Sequence, residues 1–232
     1  MTASVPPTVF DPGCRDCPRL AAHLDRVRAD FPGYHAAPVA PFGPTDARLL
    51  IVGLAPGMHG ANATGRPFTG DHAGILLYRS LYEIGLANQP EATSIDDGLE
   101  LYDCRVTNAV KCLPPGNRPH TAEVRTCNAF LAAEIARFPP RVVLALGRVA
   151  HDAVLRALAR RLSAHPFGHG REHGLDGAMT LIDSYHCSRY NTQTRRLTAE
   201  MFRDVLARAA VLREVSETPG SADGPTTSMR GQ

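Results

Sequence analysis

Residues 49–71 read LLIVGLAPGMHGANATGRPFTGD, and this stretch decides the fold. Leu49, Leu50, Ile51 and Val52 form a short apolar run that stops at Gly53. A run of this kind, bounded by turn residues, predicts a strand buried on both faces of a parallel sheet. The segment after it is a long loop dense in Gly, Ala and Pro. Small residues let backbone N–H groups come close to a ligand. The loop is neither a phosphate loop nor a dinucleotide fingerprint, since it lacks both glycine patterns and the only lysine, Lys111, lies elsewhere.

Further strands are predicted downstream at Val106–Val110, Val142–Leu146 and Met179–Asp183. Helical rhythm is read over 15–31, 72–87, 121–138, 148–161 and 198–213, with Thr121 and Thr198 as caps. Alternating strands and helices predict an α/β domain of three layers, α/β/α, around a short four-stranded, mostly parallel sheet. The domain is expected over 14–213, after a loose arm (1–13) and before a disordered polar tail (214–232). In such sheets ligands bind at the carboxyl ends of strands. The loops 53–71, 111–120 and 184–196 all follow strands, so they are expected to meet in one crevice.

Composition narrows the class. The chain has 232 residues, 44% of them apolar and 21% charged, as expected for a globular chain with a real core. It has no apolar run of about 18 residues, which excludes a transmembrane helix. No basic flank precedes an apolar stretch at the N-terminus, so a cytosolic protein with reduced cysteines is expected. A net charge of +2 is too small to establish a polyanion partner by itself.

Three constellations carry chemistry. In the first loop, Phe68 can stack on a planar ligand, and Asp71 can activate water or stabilise a cation. Cys14 and Cys17 form a C-x2-C pair, and Cys112 and Cys127 are placed to meet it. Four thiolates suit zinc or an iron–sulfur cluster equally well, and four apolar core cysteines are the plain alternative. The third constellation is SYHCSRYN (184–191). There His186 and Asn191 can donate hydrogen bonds, while Ser188 and Arg189 can contact phosphate. From Ser184 to Arg213 six arginines face two acids, which reads as a phosphate-contacting surface or as a solvated basic helix. Asn108 ends the second strand and can read a nucleobase edge or merely cap the strand. His151, His165, His169 and His173 lack regular ligand spacing and are read as surface histidines.

Together these segments resemble the family 5 uracil-DNA glycosylases, a branch of the uracil-DNA glycosylase superfamily. The resemblance is carried by GLAPGMHGANATGRPFTGD (53–71), VTNAVKCLPPGNRP (106–119), RVVLALGRVAHDA (141–153), HCSRYNTQTRRLT (186–198) and CRDCPRL (14–20). It implies a [4Fe–4S] cluster on Cys14, Cys17, Cys112 and Cys127, with a structural task. It also implies excision of uracil, and of deaminated purines such as hypoxanthine, from double-stranded DNA by a monomeric enzyme.

A glycosylase flips its target base out of the stack. On this resemblance Phe68 stacks on the flipped base and Asn108 reads its edge. A neutral His186 donates to the base O2 as charge develops, and the Gly53–Gly57 turn, with Ala55, adds backbone N–H groups. Asp71 positions water or stabilises the sugar cation, supported by Asn191. Ser188 grips a phosphate, and Arg189 and Tyr190 wedge into the space left by the base. No lyase step is expected, because Lys111 adjoins Cys112 and is pinned away from the sugar.

Two departures stand out. The turn Gly53-Leu54-Ala55-Pro56-Gly57 holds no acid or amide, so Asp71 inherits water activation only in part. Cys187 replaces a usual proline, which predicts a softer wedge segment and a thiol open to oxidation. A rival reading is a non-catalytic nucleic-acid-binding module with a structural four-cysteine metal site. It leaves Phe68, Asp71 and His186 without a task.

Overall fold

The apolar runs become strands that bury both faces, and side-chain alternation sends each residue to a different layer. In the computed structural model of the chain, residues 9–175 and 179–214 are described. Strand β1 (Leu49–Gly53) lies at the centre of the sheet. Its Leu49 and Ile51 pack into one core, and Leu50 and Val52 into the other. Around it stand β2 (Cys104–Asn108), β3 (Val142–Leu146), β4 (Glu172–Gly174) and β5 (Thr180–Ser184), in the order β2-β1-β3-β5-β4. A single turn, α2 (Ala61–Thr64), lies in the loop after β1, and the first core is covered by α3 (His72–Glu83) and α7 (Ala199–Glu214). The second is covered by α4 (Thr121–Arg137), α5 (Arg148–Ala157) and the start of α1 (Pro18–Asp30). This is the three-layer α/β/α arrangement.

The sheet has five strands where four were expected. β1, β2, β3 and β5 are parallel, while β4 joins the edge antiparallel to β5. β4 comprises only Glu172, His173 and Gly174, inside a His/Gly-rich stretch with no alternation to mark it. The second strand begins two residues earlier than expected, at Cys104, because Leu49 pairs with Cys104 and Gly53 with Asn108. The fourth expected strand likewise moves by one residue, to Thr180–Ser184.

Helix ends follow local chemistry. α3 stops at Glu83 and not at 87, because Gly85 takes a left-handed φ of 75°. The Leu86 N–H then bonds the Leu81 carbonyl and the Gly85 N–H the Tyr82 carbonyl, which satisfies the last turn. α5 stops at Ala157, and Ala159 is left-handed behind it. At α4 the cap is His120 and not Thr121, and the Glu123 carboxylate accepts from the His120 N–H at 2.7 Å. At α7 the Thr198 hydroxyl accepts from the Met201 N–H at 3.1 Å, as expected. Of the expected arm and tail, residues 1–8 and 215–232 lie outside the described residues.

Candidate active site

The three strand-end loops meet as expected. They line a cleft of about 1070 Å³ with Gly57, Phe68, Asp71, Asn108, His186 and Asn191 on its walls. Ala55, Ser188 and Arg189 also line it, and Tyr190 stands 70% exposed beside it.

Gly53 is where β1 ends, and its missing Cβ makes the back wall possible. A Cβ there would lie 2.4 Å from the Asn108 Oδ1 and 2.5 Å from the Phe68 ring. Asn108 is opposite Gly53 in the β1–β2 register and is buried. Phe68 holds a left-handed φ of 54°, a conformation costing roughly 1–3 kcal/mol for a residue with a side chain. The surroundings leave it no alternative. Gly74 packs against the Phe68 carbonyl, where a Cβ would sit 1.7 Å away. The Tyr78 hydroxyl donates to the Pro67 carbonyl at 2.6 Å.

The acidic stretch 88–103 clamps this loop from outside through Asp97. Arg66 is 3% exposed and bonds Thr69 Oγ1 at 2.8 Å and Asp97 Oδ2 at 2.6 Å. Burial favours protonation of Asp97, but Arg66 and the N–H groups of Leu99, Thr93 and Ser94 outweigh it and hold the carboxyl well below the usual range. Asp97→Ala leaves the Arg66 guanidinium buried without its carboxylate. A loss of about 3 kcal/mol in unfolding free energy is expected by urea titration at pH 7. Because the folded-state value is depressed, this stability is present above about pH 4 and is lost as pH falls below it.

Asp71 caps α3, its Oδ1 accepting from the Gly74 N–H at 2.9 Å. Its other oxygen lies against Gly60, where a Cβ would come within 2.6 Å. Burial raises the Asp71 pKa above its ordinary value, against the pull of the Gly74 and Ala73 N–H groups. Across the cleft, the His186 ring lies 6.0 Å from the Phe68 ring, 25° from parallel. Desolvation in the cleft wall pulls the His186 pKa down to about 4, so the ring is neutral at pH 7. Its Nδ1 has no hydrogen-bond partner among the described residues. Gly147, with φ of 94°, leaves space for it.

The 184–191 segment divides its tasks. Asn191 donates through Nδ2 to the His186 carbonyl at 2.8 Å, so that N–H is spent on holding the histidine backbone. Ser188 caps the short helix α6 (Arg189–Gln193), and Thr192 Oγ1 lies 2.9 Å from His72 Nε2, tying α6 to α3. Cys187 is fully buried in the core, and burial pushes its thiol pKa far up. The expectation of an oxidation-prone thiol is therefore corrected, since neither access nor thiolate character is present. The basic helix reading also changes. Arg203, Arg208 and Arg213 pair with Glu83, Glu172 and Asp103. Arg189 and Arg196 line the cleft, as does Arg148, which pairs with Asp152 at 2.8 Å. Arg148 was missed in the sequence, because nothing local marks an arginine that tertiary contacts bring to the rim.

The four cysteines converge as well. Cys14, Cys17, Cys112 and Cys127 line one small cavity beside α1 and α4. Arg19 and Glu123 join those helices through two bonds of 2.7 Å. Burial and then the neighbouring Cys127, Glu123 and Cys14 push the Cys17 thiol up to about 11, and Cys112 is pushed to about 12. Four thiolates this close need a cation among them. The Lys111 N–H points at the Cys127 sulfur (3.3 Å), which suits an electron-rich ligand, and four thiolates suit zinc or an iron–sulfur cluster.

Lys111 itself is 2% exposed, donates to Thr107 Oγ1 and the Asn108 carbonyl, and lies 3.6 Å from Glu134. The group read as surface histidines is corrected too. His151 and His173 are buried against Asp183.

Fold and site together define an α/β protein with a strand-end base-sized wall and a four-cysteine group beside it. The model of the uracil DNA glycosylase superfamily matches residues 40–210. The chain is 50% identical to a type-5 uracil-DNA glycosylase of Thermus thermophilus over 84% of its own length and 92% of the relative's. It is 43% identical to one of Pyrobaculum aerophilum (85% and 88%) and 41% identical to one of Mycobacterium bovis (86% and 78%). The chain belongs to the type-5 uracil-DNA glycosylase family.

Proposed function

We propose that this protein excises uracil from DNA by hydrolysing the N-glycosidic bond, so starting base-excision repair. The observation that carries the reading is the His186 ring facing Phe68 across the cleft at 6.0 Å, with Asp71 and Asn108 on the same walls. A base cannot be reached inside the stack, so the nucleotide is flipped into the cleft. Phe68 stacks on the base and the Asn108 amide reads its edge. As the bond breaks, negative charge grows on the base and positive charge on the sugar. His186 donates a hydrogen bond to the departing base, and the N–H groups of Gly53–Gly57 assist it. Asp71, ionised, faces the sugar side and orients the attacking water. Ser188 holds a phosphate, while Arg189 and Tyr190 fill the gap in the duplex.

The wall formed by Gly53, Ala55 and Gly57 carries no acid or amide that would reject a larger ring, which supports a permissive pocket. Uracil in mispairs ranks first and hypoxanthine second, in double-stranded DNA, with the activity in one monomeric cytosolic domain over 14–213. The Cys14, Cys17, Cys112 and Cys127 set would hold a [4Fe–4S] cluster, which supplies cross-linking of the N-terminal segment to the 112–127 segment. The likeness to type-5 uracil-DNA glycosylases supports this over zinc, and the cluster takes no part in bond breaking.

The test is single-turnover release of uracil opposite guanine in a duplex, by protein with iron bound. Release is expected, and borohydride is expected to trap no protein–DNA adduct, because Lys111 is held in its buried network. Absence of release, or release from single strands only, overturns the reading.

A further inference from the structure

We propose that His151, His173 and Asp183 form a second metal site, separate from the cysteines, that takes a zinc ion. The three side chains come from α5, β4 and β5 and are 1%, 8% and 0% exposed. His151 Nδ1 lies 2.7 Å from Asp183 Oδ1, and His173 Nε2 lies 3.3 Å from Asp183 Oδ2. One donor atom from each falls within 4.8 Å of the other two. Nitrogen and oxygen ligands of tetrahedral zinc, at about 2.0–2.1 Å from the metal, stand about 3.3 Å apart. Small shifts of these side chains reach that spacing.

The surroundings match those of a metal ligand set. His151 Nε2 lies 2.8 Å from the His165 carbonyl. A backbone carbonyl is the usual orienting partner of a metal-bound histidine, and this one leaves Nδ1 on the Asp183 side as the ligand atom. The Gly168 N–H donates to Asp183 Oδ2 at 3.2 Å and orients the carboxylate. A carboxylate buried away from water needs a compensating charge, which a zinc ion supplies. Two histidines and one carboxylate leave a fourth position for water.

The site also has a mechanical consequence. Asp183 is three residues before His186, and β4 is a three-residue edge strand with little core of its own. A bound ion ties β4 and the turn at His165–Gly168 to α5 and β5, beneath the segment that carries His186.

The experiment uses the iron-loaded protein, dialysed against a chelator and then exposed to zinc chloride. Metal content by mass spectrometry is expected to show one zinc per chain in the wild type and none in Asp183→Asn or His173→Ala. Iron is expected to be unchanged in all three. Asp183 is wholly buried and its variant can fail to fold, so His173→Ala on the edge strand decides. Zinc is expected to raise the melting temperature of the wild type and to leave that of His173→Ala unmoved. Cobalt substituted for zinc is expected to show a nitrogen/oxygen spectrum with no thiolate charge-transfer band. Failure of the wild type to retain zinc, equal zinc in the variants, or a thiolate band overturns the site and leaves the trio as a hydrogen-bonded ion pair.

Discussion

His186→Ala is expected to lower the single-turnover rate of uracil release by about 10²–10³-fold, with DNA binding close to wild type. The expected loss is that of one preorganised donor aimed at developing negative charge. The ring is largely desolvated and neutral, so it can serve as such a donor without first losing a proton. The pH profile separates this from an ordinary histidine. With a pKa of about 4, protonation of His186 does not alter the rate between pH 8 and about pH 5. An inflection near pH 6.5 that vanishes in His186→Asn would falsify the neutral-donor assignment. Stability carries the same signature with a definite sign. The unfolded chain binds a proton near pH 6.5, and the folded chain does not until about pH 4. Stability therefore falls by about 3 kcal/mol as pH drops from about 6.5 to about 4, and His186→Asn removes that slope.

Asp71→Asn is expected to lower the same rate by about 10²–10⁴-fold, and Asp71→Ala by a similar factor. The pair is informative because Asp71 also caps α3. An asparagine carbonyl still accepts from the Gly74 N–H, while alanine loses the cap at about 1 kcal/mol. Equal rate losses with unequal stability assign the catalytic effect to the charge and not to the helix end. A nearly active Asn variant eliminates both water activation and cation stabilisation. Because burial raises the Asp71 pKa, ionising the group weakens the fold as pH rises from about 4 through the raised value. Asp71→Asn is thus expected to be at least as stable as the wild type at pH 7. The wild-type rate is expected to fall on the acid side at a pH above that of an ordinary aspartate.

How much of this was legible in the sequence differs from element to element. Leu49–Val52 and Val142–Leu146 were readable because burial on both sheet faces demands unbroken apolar runs. β4 was not, because its three residues owe their strand geometry to the β5 edge and not to their own pattern. The strand ends shifted by one or two residues because register is set by the partner strand. His151 and His173 were misread because spacing along the chain hides a cluster assembled by three separate elements. The excess of arginine around α7 was visible, but its acid partners Glu83, Glu172 and Asp103 lie in other segments.

The sequence by itself determined the α/β alternation, the loops that line the cleft, the four-cysteine set and the family. These are carried by local periodicity, turn chemistry and contiguous motifs, which need no partner to be recognised. Only the tertiary structure decided the neutral state of His186, the double duty of Asp71, the clamp of Asp97 on the Phe68 loop and the burial of the histidine–aspartate trio. Each of these depends on which distant groups surround a side chain, since desolvation and hydrogen-bond partners are set by packing in space and not by neighbours in the chain.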